Sequence, residues 1–231
     1  MMNALLVALG CLAQDGIPFP AYDKHPWAGF AAGTTATRTT RSGQILTEEK
    51  VEIVKVDKDG VTVRISKTGE GEGEGLFPFT AFTAALVAEG TGYKVIGKSN
   101  RQVQIGPRRV RALVREFAPP DSIGIGAIRI TTADEVPAGI VEMTFEAEDD
   151  GKKTAFSYAF KGIEKVKAGD REVEAARFEL LAAEGKTKKT EGTCWLSSQV
   201  PGLLVRSRLK ATVGREVAET FTEVTKFELR K

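Results

Sequence analysis

The chain has 231 residues, 33 basic and 31 acidic side chains, a formal net charge of +2, 42% hydrophobic residues and 7% aromatic. That length and apolar content support a folded core and exclude a disordered chain, and the near-even charge balance offers no basic footprint for nucleic acid. One histidine and two cysteines exclude the usual zinc cages and a disulfide-built scaffold, and no apolar run reaches the roughly 18–20 residues that span a bilayer as a helix.

In chain order, the first feature reads as an export signal. Ala4–Leu9 is apolar and leads into Gly10, Cys11, Leu12 and Ala13, a short apolar stretch ending in small residues of the kind a signal peptidase reads. Two cleavage patterns compete. Leu6-Val7-Ala8-Leu9-Gly10-Cys11 resembles a bacterial lipobox and makes Cys11 the candidate lipid-attachment residue, whereas Cys11-Leu12-Ala13 fits a small-x-small site with cleavage before Gln14. Met1-Met2-Asn3 carries no Lys or Arg, which a start codon placed too far downstream would explain. The competing reading is a short N-terminal helix packed on the domain. The expected division is a signal segment, 1–13, and one β domain, 14–231, outside the cytoplasm as a lipid-anchored or a soluble secreted protein. Cleavage would leave Cys194 as a lone thiol beside Trp195, a buried strand cysteine with no disulfide partner.

From about Gln44 the hydrophobic period is two. Val61, Val63 and Ile65 alternate with Thr62, Arg64 and Ser66, and Val141, Met143, Phe145 and Ala147 with Glu142, Thr144, Glu146 and Glu148. Val205, Leu209, Ala211 and Val213 lie opposite Arg206, Arg208, Lys210 and Thr212. This is the pattern of antiparallel strands with one buried and one wet face. Turn signals at Asp57–Gly60, Asp149–Gly151, Ala168–Asp170 and Val213–Arg215 predict hairpins. The spacing is that of an up-and-down meander, with no room for helical crossovers. Gly69–Gly75, alternating Gly and Glu, is expected to be a mobile loop, and Thr80–Glu89 is the best helix candidate. The predicted fold class is mainly β: a large curved antiparallel sheet, half-barrel or open barrel, with an internal repeat and at most one short helix.

The repeat is the most informative feature. Val103–Ala112 aligns with Val166–Ala175 at an offset of 63, and Val136–Val141 with Val200–Val205 at 64. This predicts one supersecondary unit used twice, over about 103–166 and 166–231, extending a single sheet. The equivalent strands carry opposite charge on their wet faces, Glu142 and Glu146 against Arg206 and Lys210. Cross-strand pairing within the chain, or across a homo-oligomer, is therefore one expectation, and two solvated faces that never meet is the other.

Chemistry-bearing motifs are scarce. Gly124-Ile125-Gly126 lacks the third glycine of a dinucleotide site, and Asp57–Gly60 lacks the distal glutamate of a calcium loop. No nucleophile elbow, zinc-binding helix or phosphate loop occurs, and His25 stands far in sequence from Cys194. The expectation is a protein that is not an enzyme and takes no cofactor or metal. Aromatic residues mark the candidate ligand surface instead. Trp27 and Phe30 are expected to begin the first strand, and Phe77, Phe79 and Phe82 follow the Gly/Glu stretch as core residues or as a lid over an apolar groove.

Two stretches carry a family resemblance. Gly192-Thr193-Cys194-Trp195-Leu196 leads through Val200-Pro201 to Leu203-Leu204-Val205-Arg206, with Gly214 and Glu219–Val224 following. This is similar to the closing strands of the LolA-like lipoprotein-sorting superfamily. Trp27-Ala28-Gly29-Phe30-Ala31-Ala32-Gly33-Thr34 resembles the opening of uncharacterised exported bacterial envelope proteins. The resemblance implies a half-barrel whose concave face holds acyl chains. The chain departs from the carrier pattern in offering at most one helix to plug that face, and in its duplication. Two expectations follow. One is a non-catalytic carrier or binder of a lipid or other apolar ligand, lined by Trp27, Phe30, Phe77, Phe79 and Phe82. The other is an envelope interaction module with a filled core.

Overall fold

The computed structural model describes residues 24–27, 29–69, 71–78, 91–120, 126–149, 152–185 and 187–230. The signal segment with Cys11, the helix candidate Thr80–Glu89, Phe79 and Phe82 lie outside them. Among the described residues there are thirteen strands: β1 (Thr35–Ser42), β2 (Ile45–Val56), β3 (Gly60–Lys67), β4 (Gly71–Pro78), β5 (Lys94–Ile105), β6 (Arg108–Ala118), β7 (Ile128–Thr132), β8 (Ile140–Asp149), β9 (Lys152–Ala168), β10 (Arg171–Glu184), β11 (Lys188–Leu196), β12 (Leu204–Val213) and β13 (Glu216–Glu228). They make one curved sheet, open between its edge strands, in the order β4-β3-β2-β1-β13-β12-β11-β10-β9-β8-β7-β6-β5. Every neighbouring pair is antiparallel. The chain thus starts in the middle of the sheet, runs to one edge, and resumes at the other to meander back to β1.

The period-two pattern explains the faces. Val61, Val63, Val51 and Ile53 are buried, while Thr62 and Arg64 between them are not. Three apolar clusters fill the buried side. The largest gathers Phe117, Ile130, Met143, Tyr158, Phe178, Leu196 and their neighbours, with the Tyr158 and Phe178 rings stacked at 4.6 Å. Cys194 lies in this cluster, its Sγ 3.7 Å from the Tyr158 hydroxyl. Burial pushes its thiol up to about 12, so it stays protonated within the packed cluster.

The aligned stretches share register, turn geometry and burial. In β5–β6 Val103 pairs with Val110 and Ile105 with Arg108; in β9–β10 Val166 pairs with Val173 and Ala168 with Arg171. Ile105, Val110 and Ala112 are buried, as are Ala168, Val173 and Ala175. The turn before β8 has Val136 N–H on Ala133 O (3.3 Å), Gly139 N–H on Val136 O (2.8 Å) and Ala133 N–H on Gly139 O (2.9 Å). The turn before β12 repeats all three, through Val200 on Ser197 (3.1 Å), Leu203 on Val200 (2.9 Å) and Ser197 on Leu203 (2.8 Å). Pro137 and Pro201 sit at equivalent places, where a fixed φ is needed and no donor is. The one mismatch is informative. Gly139 has φ +74, and its counterpart Leu203 holds φ +62, the one non-glycine residue with positive φ among those described. Leu203 is only 3% exposed, so side-chain burial offsets a left-handed backbone that costs about 1–2 kcal/mol.

Two expectations are corrected. Gly71–Gly75 is not a mobile loop but part of edge strand β4, paired along β3 from Lys67–Gly71 to Gly60–Pro78. Alternation places Glu72 and Glu74 on the face of Ser66 and Arg64, where Glu74 Oε1 accepts from Arg64 Nη2 at 2.7 Å and Glu72 from Ser66 at 3.1 Å. A ladder of backbone bonds with two side-chain ties outweighs the entropy of three glycines. Trp27 and Phe30 do not begin the first strand either. They precede β1 in a turn segment, because Gly29 and Gly33 take φ of +86 and +82, which breaks any extended run there.

The oppositely charged faces of β8 and β12 are held apart by β9, β10 and β11. Their charges meet other strands instead: Glu142 pairs with Arg101 at 2.5 Å and Arg206 with Glu223 at 3.5 Å.

Candidate functional site

Residues 24–27 cross one end of the sheet and tie together parts that are far apart in it. The Lys24 backbone N–H donates to Ala138 O (3.2 Å) and its ammonium to Asp134 O, both in the turn before β8. Pro26 O accepts from Gly202 N–H (3.1 Å) in the equivalent turn before β12. His25 Nδ1 accepts from Trp27 N–H at 3.3 Å, which fixes the proton on Nε2, and Nε2 donates to Phe77 O on β4 at 3.0 Å. Burial holds the His25 pKa below its ordinary value, opposed by the bond to Phe77.

Trp27, 4% exposed, fills the space this strap encloses, against Val51, Ile53, Val61 and Val63 with Phe30, Ile65 and Phe77 at the margin. Its ring centroid is 6.3 Å from that of Phe77. On its other side lies Arg38, 2% exposed, with its guanidinium carbon 6.0 Å from the ring centroid. Arg38 Nη1 meets Glu49 Oε1 at 3.4 Å and Nη2 donates to Pro201 O at 3.3 Å. Gly202 closes the contact. A Cβ there would lie 2.3 Å from Arg38 Nη2 and 2.8 Å from the Trp27 ring.

Of the five aromatic residues expected to line a ligand surface, the structure brings Trp27, Phe30 and Phe77 together. Phe79 and Phe82, like Cys11, fall outside the described residues. The space around Trp27 is occupied by protein, and an open volume lies beyond Phe77. There a trough of about 420 Å³ is lined by Ile65, Lys67, Phe77 and the stretch Gly71–Gly75. Gly73 has no neighbour within 4 Å of where a Cβ would stand, so this hollow exists because β4 presents hydrogens where its neighbours present side chains.

No family model and no curated protein sequence matches the chain. Two solved structures match the chain at low similarity. One is a candidate lipoprotein from Parabacteroides distasonis ATCC 8503, 12% identical with a TM-score of 0.41, covering 91% of this chain and 100% of that one. The other is the hypothetical lipoprotein YmcC from Escherichia coli, 11% identical with a TM-score of 0.36, covering 87% and 89%.

Elsewhere the open spaces have mixed polar and apolar walls, among them a groove of about 1110 Å³ along β11, β12 and β13 with Gly192, Leu209 and Phe221 in its lining. The cleft of about 640 Å³ beside β7–β9 contains the Arg129–Glu116 ion pair (2.6 Å), with Thr144, Ser157 and Leu181 along it. Among the described residues no group of three His, Cys, Asp or Glu side chains could hold a metal ion. Sequence reasoning missed the Arg38–Glu49 pair. Arg38 stands in an alternating Thr/Arg run that reads as solvated, and only the register of β1, which puts it on the face of Ala36, reveals its burial.

Proposed function

We propose that this is a non-catalytic extracytoplasmic protein of the cell envelope that works by binding another macromolecule, with its buried face serving as core. The observation that carries the reading is the closed site of Trp27. A chamber for an acyl chain needs a continuous apolar hollow of several hundred Å³, and the aromatic residues proposed to line one pack on Arg38, Gly202 and the aliphatic side chains of β2 and β3. The extracytoplasmic placement is supported by the export-like segment ending at Cys11–Ala13. The absence of a function in catalysis is supported by the thiol of Cys194 being buried and held protonated, and by the engagement of both ring nitrogens of His25 in backbone hydrogen bonds.

A second reading has one observation in its favour. The trough beside Phe77 has an aromatic and an aliphatic wall and a floor of glycine, a place where an apolar ligand would fit without rearrangement. Titration of the purified protein with a fluorescent fatty acid separates the two. The core reading expects no saturable binding. Saturable binding abolished by Gly73→Val, which fills the trough, would establish the ligand reading instead.

A further inference from the structure

Four of the most exposed aliphatic side chains lie together at one end of the sheet. Ile45 is 70% exposed and Leu46 61%, at the end of the β1–β2 hairpin; Val213 is 54% and Val217 55%, at the end of the β12–β13 hairpin. The two hairpins are neighbours, because β1 pairs with β13 up to Ser42–Thr220. The β12–β13 ladder continues past that point to Val213–Glu216, so its end projects about 13 Å further at the rise of a strand.

The four side chains do not share a face. Leu46 is opposite Arg41, Arg41 opposite Phe221 and Phe221 opposite Arg208, and Val217 is four residues from Phe221 on the same strand. Leu46 and Val217 therefore stand on the face of Phe221. Ile45 and Val213, one position removed along their strands from that alternation, stand on the face of Leu209. A flat protein partner would cover one pair and leave the other wet. A medium that surrounds the projecting hairpins covers both. The charges nearby suit the same occupant: among the described residues Arg41, Arg208 and Arg215 form no ion pair, Arg208 lies over the Phe221 ring at 5.5 Å, Lys210 stands between Glu191 and Glu219 across the ladder, and the other acid on the two hairpin ends is Glu216. Basic side chains with long apolar stems beside aliphatic tips are the composition of a bilayer-interface contact.

We propose that this rim is a membrane-contact edge, with Ile45, Leu46, Val213 and Val217 entering the headgroup region of a bilayer and Arg41, Arg208 and Arg215 meeting lipid phosphates. The contact is independent of any lipid carried at Cys11. The test is flotation of the full chain, produced without lipid modification, on vesicles of phosphatidylcholine and phosphatidylglycerol at 3:1, a composition of about one anionic lipid in four. The wild type should float, and Leu46→Ser combined with Val217→Ser should lower the bound fraction roughly fivefold or more with an unchanged melting temperature. Leu76→Ser with Ile96→Ser, equally exposed aliphatics on the two sheet edges, should leave flotation as it was. Val217→Trp should increase it, which keeps the test decisive if the double variant folds poorly. Absence of flotation, equal flotation of wild type and double variant, or a wild-type dimer in solution that the double variant dissolves would each overturn the proposal, the last by showing that a second copy covers the rim.

Discussion

Gly202 is the residue on which the strap depends most. Its φ of +76 already disfavours any side chain, and a Cβ would collide with both Arg38 and the Trp27 ring. Gly202→Ala should cost about 2–4 kcal/mol, summing left-handed strain and overpacking, as read by urea denaturation. Gly214, at φ +62 with no neighbour within 4 Å, supplies the control: Gly214→Ala should cost only the strain, about 1–2 kcal/mol. His25 gives the strap a pH dependence with a definite sign. Its folded pKa lies below its ordinary 6.5, so the unfolded chain binds the proton more readily. Stability is full above that ordinary value, falls as pH drops through 6.5, and levels off below the folded pKa. His25→Gln, which cannot titrate, should flatten that part of a stability–pH curve. A His25→Gln curve with the same fall would assign the effect to other groups.

At the scale of elements, the strand pairing was legible and the edges were not. Alternation of apolar and polar residues named the buried faces of β3 and β8 and part of that of β12, where Val213 at the strand end is exposed instead, and the two Val-Pro stretches fall in turns with the same three hydrogen bonds. The Gly/Glu stretch was misread for a physical reason. Glycine lowers strand propensity, but pairing depends on what lies across the ladder, and Arg64 and Ser66 stand opposite Glu74 and Glu72. Gly73 has an ordinary strand backbone and open space beside it, so Gly73→Val should be tolerated or add up to about 1 kcal/mol. A loss of more than that in thermal denaturation would mean that the trough is occupied.

At the scale of the molecule, thirteen antiparallel strands are an odd number, so the edge strands β4 and β5 run in the same direction and could close only through a parallel pair. Each edge is blunted. β5 carries Lys94, Lys98 and a register shift between Val95 and Gly97, and β4 ends at Pro78, devices that discourage a further strand from pairing. The central architecture could be read from periodicity alone, but the strap could not. Lys24 and Pro26 act through backbone partners in turns more than a hundred residues away, and His25 through a carbonyl on β4, which no local pattern encodes. The site around Trp27 is filled by protein and leaves no room for a ligand there. Native mass spectrometry of the detergent-free protein purified from an envelope fraction should therefore show only the mass of the processed polypeptide and any covalent anchor, whereas a stoichiometric non-covalent lipid released on activation would contradict a filled core.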